Sequence, residues 1–302
     1  MMGQLIDVIT EGQMANGNYS LSWDATNVAS GLYFYSLANP AVLTQVGQWT
    51  DRYVHDAQVV TYTDGPFAGR QIAFCCAGFS GGWSDTGLTI VDVTNKSNPF
   101  VVSQTYYSNA AYSHQGWLSE DRKYFYLNDE LDEQDFGGTT TTRVINVEDI
   151  ENPSFVGTFT SGSSSVDHNL YTHNGFIFEA NYRSGLRVFD ATNPTNPTQH
   201  GYFDTYPDND GANFNGLWSV YPYFPSGSVI GSDLERGLFV WEIGNYKPVL
   251  MVEYPNGHPD LIDPNGGRFD ATNKLGENVA FLGVGNKGGG VVTLRDKHEY
   301  KY

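Results

Sequence analysis

An apolar run followed by an Asn-Pro turn recurs about every fifty residues along this chain, and that period constrains the fold more than any other feature. The first copy is Gly31-Leu32-Tyr33-Phe34-Tyr35-Ser36-Leu37-Ala38-Asn39-Pro40. Gly87-Leu88-Thr89-Ile90-Val91-Asp92-Val93 leads to Asn98-Pro99, and Val144-Ile145-Asn146-Val147 leads to Asn152-Pro153. Gly185-Leu186-Arg187-Val188-Phe189-Asp190 leads to Asn196-Pro197, and Gly237-Leu238-Phe239-Val240-Trp241 leads to Lys247-Pro248. Gly290-Val291-Val292-Thr293-Leu294 ends the series. Proline has no N–H to give a ladder, so each belongs in the turn rather than the strand. Short apolar runs between turns read as buried strands, and one such unit cannot cover its own apolar faces.

Each unit reads as four strands, a to d. Strand a opens at His55, His114 or His168 in three successive units, and at Asn215 in the next. Strand b is Gln71–Ala77, Tyr124–Asn128, Phe176–Asn181 or Ser228–Ser232. Strand c is the Gly-Leu run, and strand d follows the turn. The expected architecture is an all-β propeller, one domain over 1–302, with blades starting near 54, 113, 167, 214 and 267 and a reduced N-terminal blade over 14–53. Ser20–Asp24 is its inner strand, and Leu5–Ile9 is expected to supply the outer strand of the last blade. The count is six blades, with five or seven as alternatives. An open solenoid is the rival, but no polar capping repeat is visible.

Composition agrees with a strand-and-turn fold: 15% aromatics, 34 Gly and 13 Pro in 302 residues. No apolar stretch is long enough for a membrane span. No signal peptide is read at Met1-Met2-Gly3, which runs straight into polar sequence. The net charge of −18 disfavours nucleic acid and anionic lipid, and favours cations. The two cysteines, Cys75 and Cys76, are adjacent, so a strand would point them to opposite faces as buried thiols.

The chemistry is expected at one mouth. In a propeller, strand a lies nearest the axis, and the d–a connections emerge with the b–c hairpins. The strand-a histidines therefore share a face with Asp129, Glu130, Asp132 and Glu133, with Asn181, Tyr182 and Arg183, and with Asp233, Glu235 and Arg236. His55, His114 and His168 suit Zn, Cu or Fe if they ring the axis. The bland reading is three inner-strand histidines bonded to backbone and water. The next ring position, Asp24, Asp56, Gln115, Asn169 and Asp270, suits Ca²⁺ instead. Asp208-Asn209-Asp210-Gly211-Ala212-Asn213 is rich in oxygen donors but lacks EF-hand spacing, so a plain turn is expected there. Glu130 and Asp132 are the candidate acid–base pair, weighed against an ordinary solvated acidic loop. Asn181, Tyr182, Arg183, Asp233, Arg236 and Trp117 are candidate ligand contacts: the arginines for a carboxylate or sulfate, the aromatics for a sugar ring. Arg183 and Arg236 have ion pairing with neighbouring loops as their plainer alternative, and the aromatics have packing between blades.

Long runs of the chain resemble a known family. They include Ser113-His114-Gln115-Gly116-Trp117-Leu118 with Asp129–Glu133, Asp167-His168-Asn169-Leu170-Tyr171, Asn181–Arg187, Tyr202–Pro207, Trp218–Gly227 and Asp233–Leu238. Together they resemble the choice-of-anchor B proteins of bacteria, related to the LVIVD-repeat propellers. The resemblance implies an exported propeller, extracellular, periplasmic or on the cell surface, and implies no reaction. Two functions are expected to compete. One is an exported binding or scaffold module, calcium-stabilised, taking a small molecule, glycan or protein at the histidine face. The other is a metal-dependent hydrolase or oxidoreductase using the three histidines.

Overall fold

A computed structural model describes residues 30–36, 44–78 and 86–242, and the backbone of three strands between 269 and 294. The chain divides into two compact units, Met1–Glu242 and Ile243–Tyr302. The described part of the first unit begins with a two-stranded sheet, β1 (Leu32–Ser36) and β2 (Thr44–Trp49). Three four-stranded antiparallel sheets follow, each paired in chain order. They are β3 (Asp56–Thr61), β4 (Gln71–Ala77), β5 (Gly87–Asp92) and β6 (Phe100–Tyr106); β7 (Ser113–Leu118), β8 (Tyr124–Asp129), β9 (Thr142–Asn146) and β10 (Ser154–Phe159); and β11 (Asn169–His173), β12 (Phe176–Ala180), β13 (Leu186–Asp190) and β14 (Thr198–Phe203). A three-stranded sheet, β15 (Leu217–Tyr221), β16 (Ser228–Asp233) and β17 (Gly237–Glu242), completes the described part of this unit. The second unit holds β18 (Phe269–Thr272), β19 (Asn278–Val284) and β20 (Gly290–Leu294). The segments Ser20–Asp24, Leu5–Ile9 and Lys247-Pro248 lie outside the described residues.

The middle strands are apolar on both faces because each is sandwiched between neighbouring sheets. Ile72, Phe74, Cys76, Leu88 and Ile90 pack against Leu118, Phe125, Leu127, Ile145 and Ile150 of the next sheet. Ala73, Cys75 and Val91 face the other way, toward Trp49 of β2. The period of two thus serves two interfaces, and Cys75 and Cys76 are both buried and free, one in each. Tyr126 and Val144 repeat the scheme against Leu170, Ile177 and Phe189. The edge strands β3, β7, β11 and β15 lie beside one another and form the inner wall.

The Asn-Pro turns are built as expected, with proline just ahead of strand d. Asp92 and Asn95 carboxyl and amide oxygens accept from Thr94 and Ser97 N–H, and Asp190 and Asn193 do the same for Thr192 and Thr195. All four c–d pairs among the described residues carry a register shift, between Phe34/Tyr35, Ile90/Val91, Phe155/Gly157 and Val188/Phe189. Such bulges add twist as each sheet runs outward. The acidic loop after β8 is a correction. Asp132–Asp135 forms a single helical turn, α1, and Asp132 and Glu133 are buried rather than solvated.

Candidate metal centre

Three neighbouring inner strands bring His55, His114 and His168 into one row. Ring centroids are 4.1 Å apart for His55–His114 and 4.3 Å for His114–His168. They line a cavity of about 340 Å³ with Asp56, Glu130, Asn169, Trp218 and Ser219.

Each imidazole has two jobs. His114 Nδ1 lies 3.3 Å from the His168 carbonyl, and His168 Nδ1 lies 2.5 Å from the Trp218 carbonyl. A carbonyl only accepts, so Nδ1 carries the proton and staples one inner strand to the next. Nε2 is left with a free lone pair. Both Nε2 atoms face Glu130, at 3.6 Å from Oε2 for His114 and 3.5 Å from Oε1 for His168. His114, Glu130 and His168 are one of two donor groups whose ligand atoms all lie within 4.8 Å of one another among the described residues. His55 lies one ring further along. Its Nδ1 meets the Tyr112 hydroxyl at 2.7 Å and the Tyr53 hydroxyl at 3.3 Å.

Burial dominates the electrostatics. It lowers the His114 pKa to about 2, with the neighbouring imidazoles of His168 and His55 adding to the effect. It lowers His168 to about 3 and moves His55 down as well. Burial raises Glu130, against the opposing hydrogen bond donated by the Tyr182 hydroxyl at 2.7 Å. The histidines are therefore neutral at physiological pH, the form that binds metals.

The second polar ring divides. Asp56 and Asn169 line the same cavity. Gln115 does not: its amide donates to the Leu170 carbonyl at 3.0 Å and accepts from the Leu170 N–H at 2.8 Å. The side chain of Asp270 lies outside the described residues.

The proposed ligand contacts are mostly occupied by the protein itself. Asn181 is buried and donates to Glu179, while Tyr182 serves Glu130. Arg183 donates to Asn215 and Asn209 and stacks over Tyr206, 5.2 Å from its centroid. Arg236 reaches the same ring at 5.9 Å and pairs with Asp208 at 3.8 Å. Asp233 caps its own loop by accepting from Glu235 and Arg236 N–H. Trp117 packs on Tyr171, centroids 4.9 Å apart. The 208–213 segment is an irregular loop that leaves a turn at 207–208 and bends at 212–214, with Asp210 accepting from Ser163. Asp132 pairs with Arg143 in a separate pocket. Sequence reasoning passed over Tyr53 and Tyr112, which hold His55; it also missed Arg143 and Asp167. A lone arginine inside the apolar run Thr142-Arg143-Val144-Ile145 was the available signal for a buried counter-charge.

Successive four-stranded meanders joined edge to edge by their first strands define an all-β propeller. Residues 82–106 match the LVIVD repeat, which occurs in β-propeller proteins. No curated protein matches the sequence. Among solved structures, the chain is similar to a candidate 6-phosphogluconolactonase of Bacteroides fragilis, at 14% identity and a TM-score of 0.45, over 76% of this chain and 64% of that one. It is also similar to the periplasmic gluconolactonase of Pseudomonas aeruginosa, at 15% identity and a TM-score of 0.46, over 88% and 73%. Among the described residues, no helix is long and apolar enough to cross a membrane.

Proposed function

We propose that His114, His168 and Glu130 hold one transition-metal ion, Zn²⁺ before Cu or Fe, and that the protein is a metal-dependent hydrolase of a small molecule. The observation that carries this is the placing of two free Nε2 lone pairs 3.6 and 3.5 Å from the two oxygens of one carboxylate. These separations are too long for good hydrogen bonds. They lie near the edge of a tetrahedron with bonds of about 2.0–2.1 Å, which is about 3.3–3.4 Å. The Nδ1 bonds to backbone carbonyls fix ring orientation, as hydrogen bonds to the nitrogen away from the ion do in known metal sites. A bound ion would acidify a water held on it. Asp56, in the same cavity, is the carboxylate available to accept that proton. Trp218, 51% exposed, offers the rim an apolar face for substrate.

A binding module without turnover is the second reading, favoured by that same exposed Trp218 beside the cavity. Export, as in the choice-of-anchor B proteins the chain resembles, accords with the net charge of −18. Elemental analysis of protein purified without a metal-affinity tag tests the centre. About one equivalent of Zn, Cu or Fe is expected, and Glu130→Gln should lose it while staying folded. Glu130 is the informative position, because His→Ala changes also remove the Nδ1 staples. Absence of metal after incubation with excess Zn²⁺ refutes the centre. Metal without hydrolysis of a panel of esters and phosphoesters supports the binding module.

A further inference from the structure

Behind the histidine cavity lies a second group of acidic side chains, formed by Asp132 and Glu133 of α1 and Asp167, the residue before His168. One carboxylate oxygen from each lies within 4.8 Å of those offered by the other two. Exposure is 7%, 5% and 0% respectively. Among the described residues one cation is paired there: Arg143 binds Asp132 through Oδ2. Asp167 spends one lone pair of each oxygen on the N–H groups of Asp129 and Thr141. Both oxygens of Glu133, and Oδ1 of Asp132, are buried and without any hydrogen-bond partner among the described residues. A buried ionised carboxylate with no donor is strongly disfavoured, so the group needs protons or a cation. Three carboxylates against one guanidinium leave a surplus that a single divalent ion cancels.

We propose that Asp132, Glu133 and Asp167 bind a divalent, oxygen-preferring cation, Ca²⁺ foremost. Ca²⁺ takes oxygens at about 2.3–2.6 Å, so two of its ligands stand at most about 4.6–5.2 Å apart, and the three oxygens here fall inside that span. Glu133 supplies a bidentate carboxylate, Asp132 Oδ1 and Asp167 one oxygen each, and water the remainder. The ion ties α1 to the start of β11. Glu130 lies two residues before Asp132, and His168 follows Asp167, so the same ion braces two donors of the histidine cavity.

The competing state is a proton shared between Asp132 and Glu133. Burial and the neighbouring Asp132 push the Glu133 carboxyl well above the usual carboxylate range. The two states separate on titration with CaCl₂ after EDTA treatment and desalting. Calorimetry should show one Ca²⁺ site, and the melting temperature should rise by several degrees at millimolar Ca²⁺. Glu133→Gln should abolish both responses while remaining folded. Glu130→Gln should retain both, which keeps this result separate from the fate of the transition-metal centre. Failure of the full-length protein to bind Ca²⁺, Mg²⁺ or Mn²⁺ overturns the proposal, as does an unchanged Ca²⁺ response in Glu133→Gln.

Discussion

Gln115→Leu isolates one contact between adjacent sheets. The Gln115 amide makes both of its bonds to a single residue, Leu170, closing a two-bond ring across the inner strands. Gln115 is 1% exposed and Leu170 0%, so water does not compete there. Leucine keeps most of the volume, and the main change is an N–H and a C=O left unpaired on the edge of β11. Each such group costs about 1–3 kcal/mol, partly offset by the better burial of leucine, for a net loss of about 2–4 kcal/mol. At roughly 2–4 °C per kcal/mol, the melting temperature should fall by roughly 4–16 °C. Urea unfolding followed by tryptophan fluorescence measures the loss, with Gln199→Leu on the exposed strand β14 as control, expected to stay within about 0.5 kcal/mol. A Gln115→Leu loss below about 1 kcal/mol refutes the idea that this amide fastens the two sheets.

Two further outcomes are expected. Glu179 is fully buried, accepts from Thr142 and Asn181, and has its pKa raised from 4.5 to about 7, chiefly by desolvation. The folded protein holds this proton to higher pH than the unfolded chain, so stability from this group falls as pH rises from 4.5 to about 7. Glu179→Gln should remove that fall and gain at most roughly 3 kcal/mol at pH 8, with little effect at pH 4, in urea titrations at the two pH values; equal effects at both would contradict the assignment. Cys75 and Cys76 are buried, and burial raises both thiol pKa values, so a thiol-reactive chromogen should label neither until the protein is unfolded, when two equivalents should react. Rapid labelling in the native state would show that their sheet opens locally.

Much of the architecture was written in the pattern of residues. The strands Gln71–Ala77 and Phe176–Ala180 end where apolar runs meet Gly, Asn or Asp, and Pro99, Pro153 and Pro197 mark the c–d turns. Continuous apolar stretches such as Ile72–Ala77 signalled burial on both faces, which the two packing interfaces explain. The histidine row was legible because three units repeat it at one blade position. The role of Asp132 and Glu133 was not: a run of acids reads as solvated until Arg143, Asp167 and the turn of α1 are known to enclose it. The bulges were equally hidden, because one extra residue leaves no mark in an alternating pattern.

Local chemistry therefore determined the repeat, its strands and turns, and the strand end on which the histidines fall, since period, proline and glycine act over a few residues. Tertiary structure alone decided which nitrogen of each histidine is spent on a neighbouring carbonyl. It also decided that Glu130, from a different hairpin, closes on the two that remain. That choice depends on the distance between sheets packed through their cores, a quantity no single segment encodes.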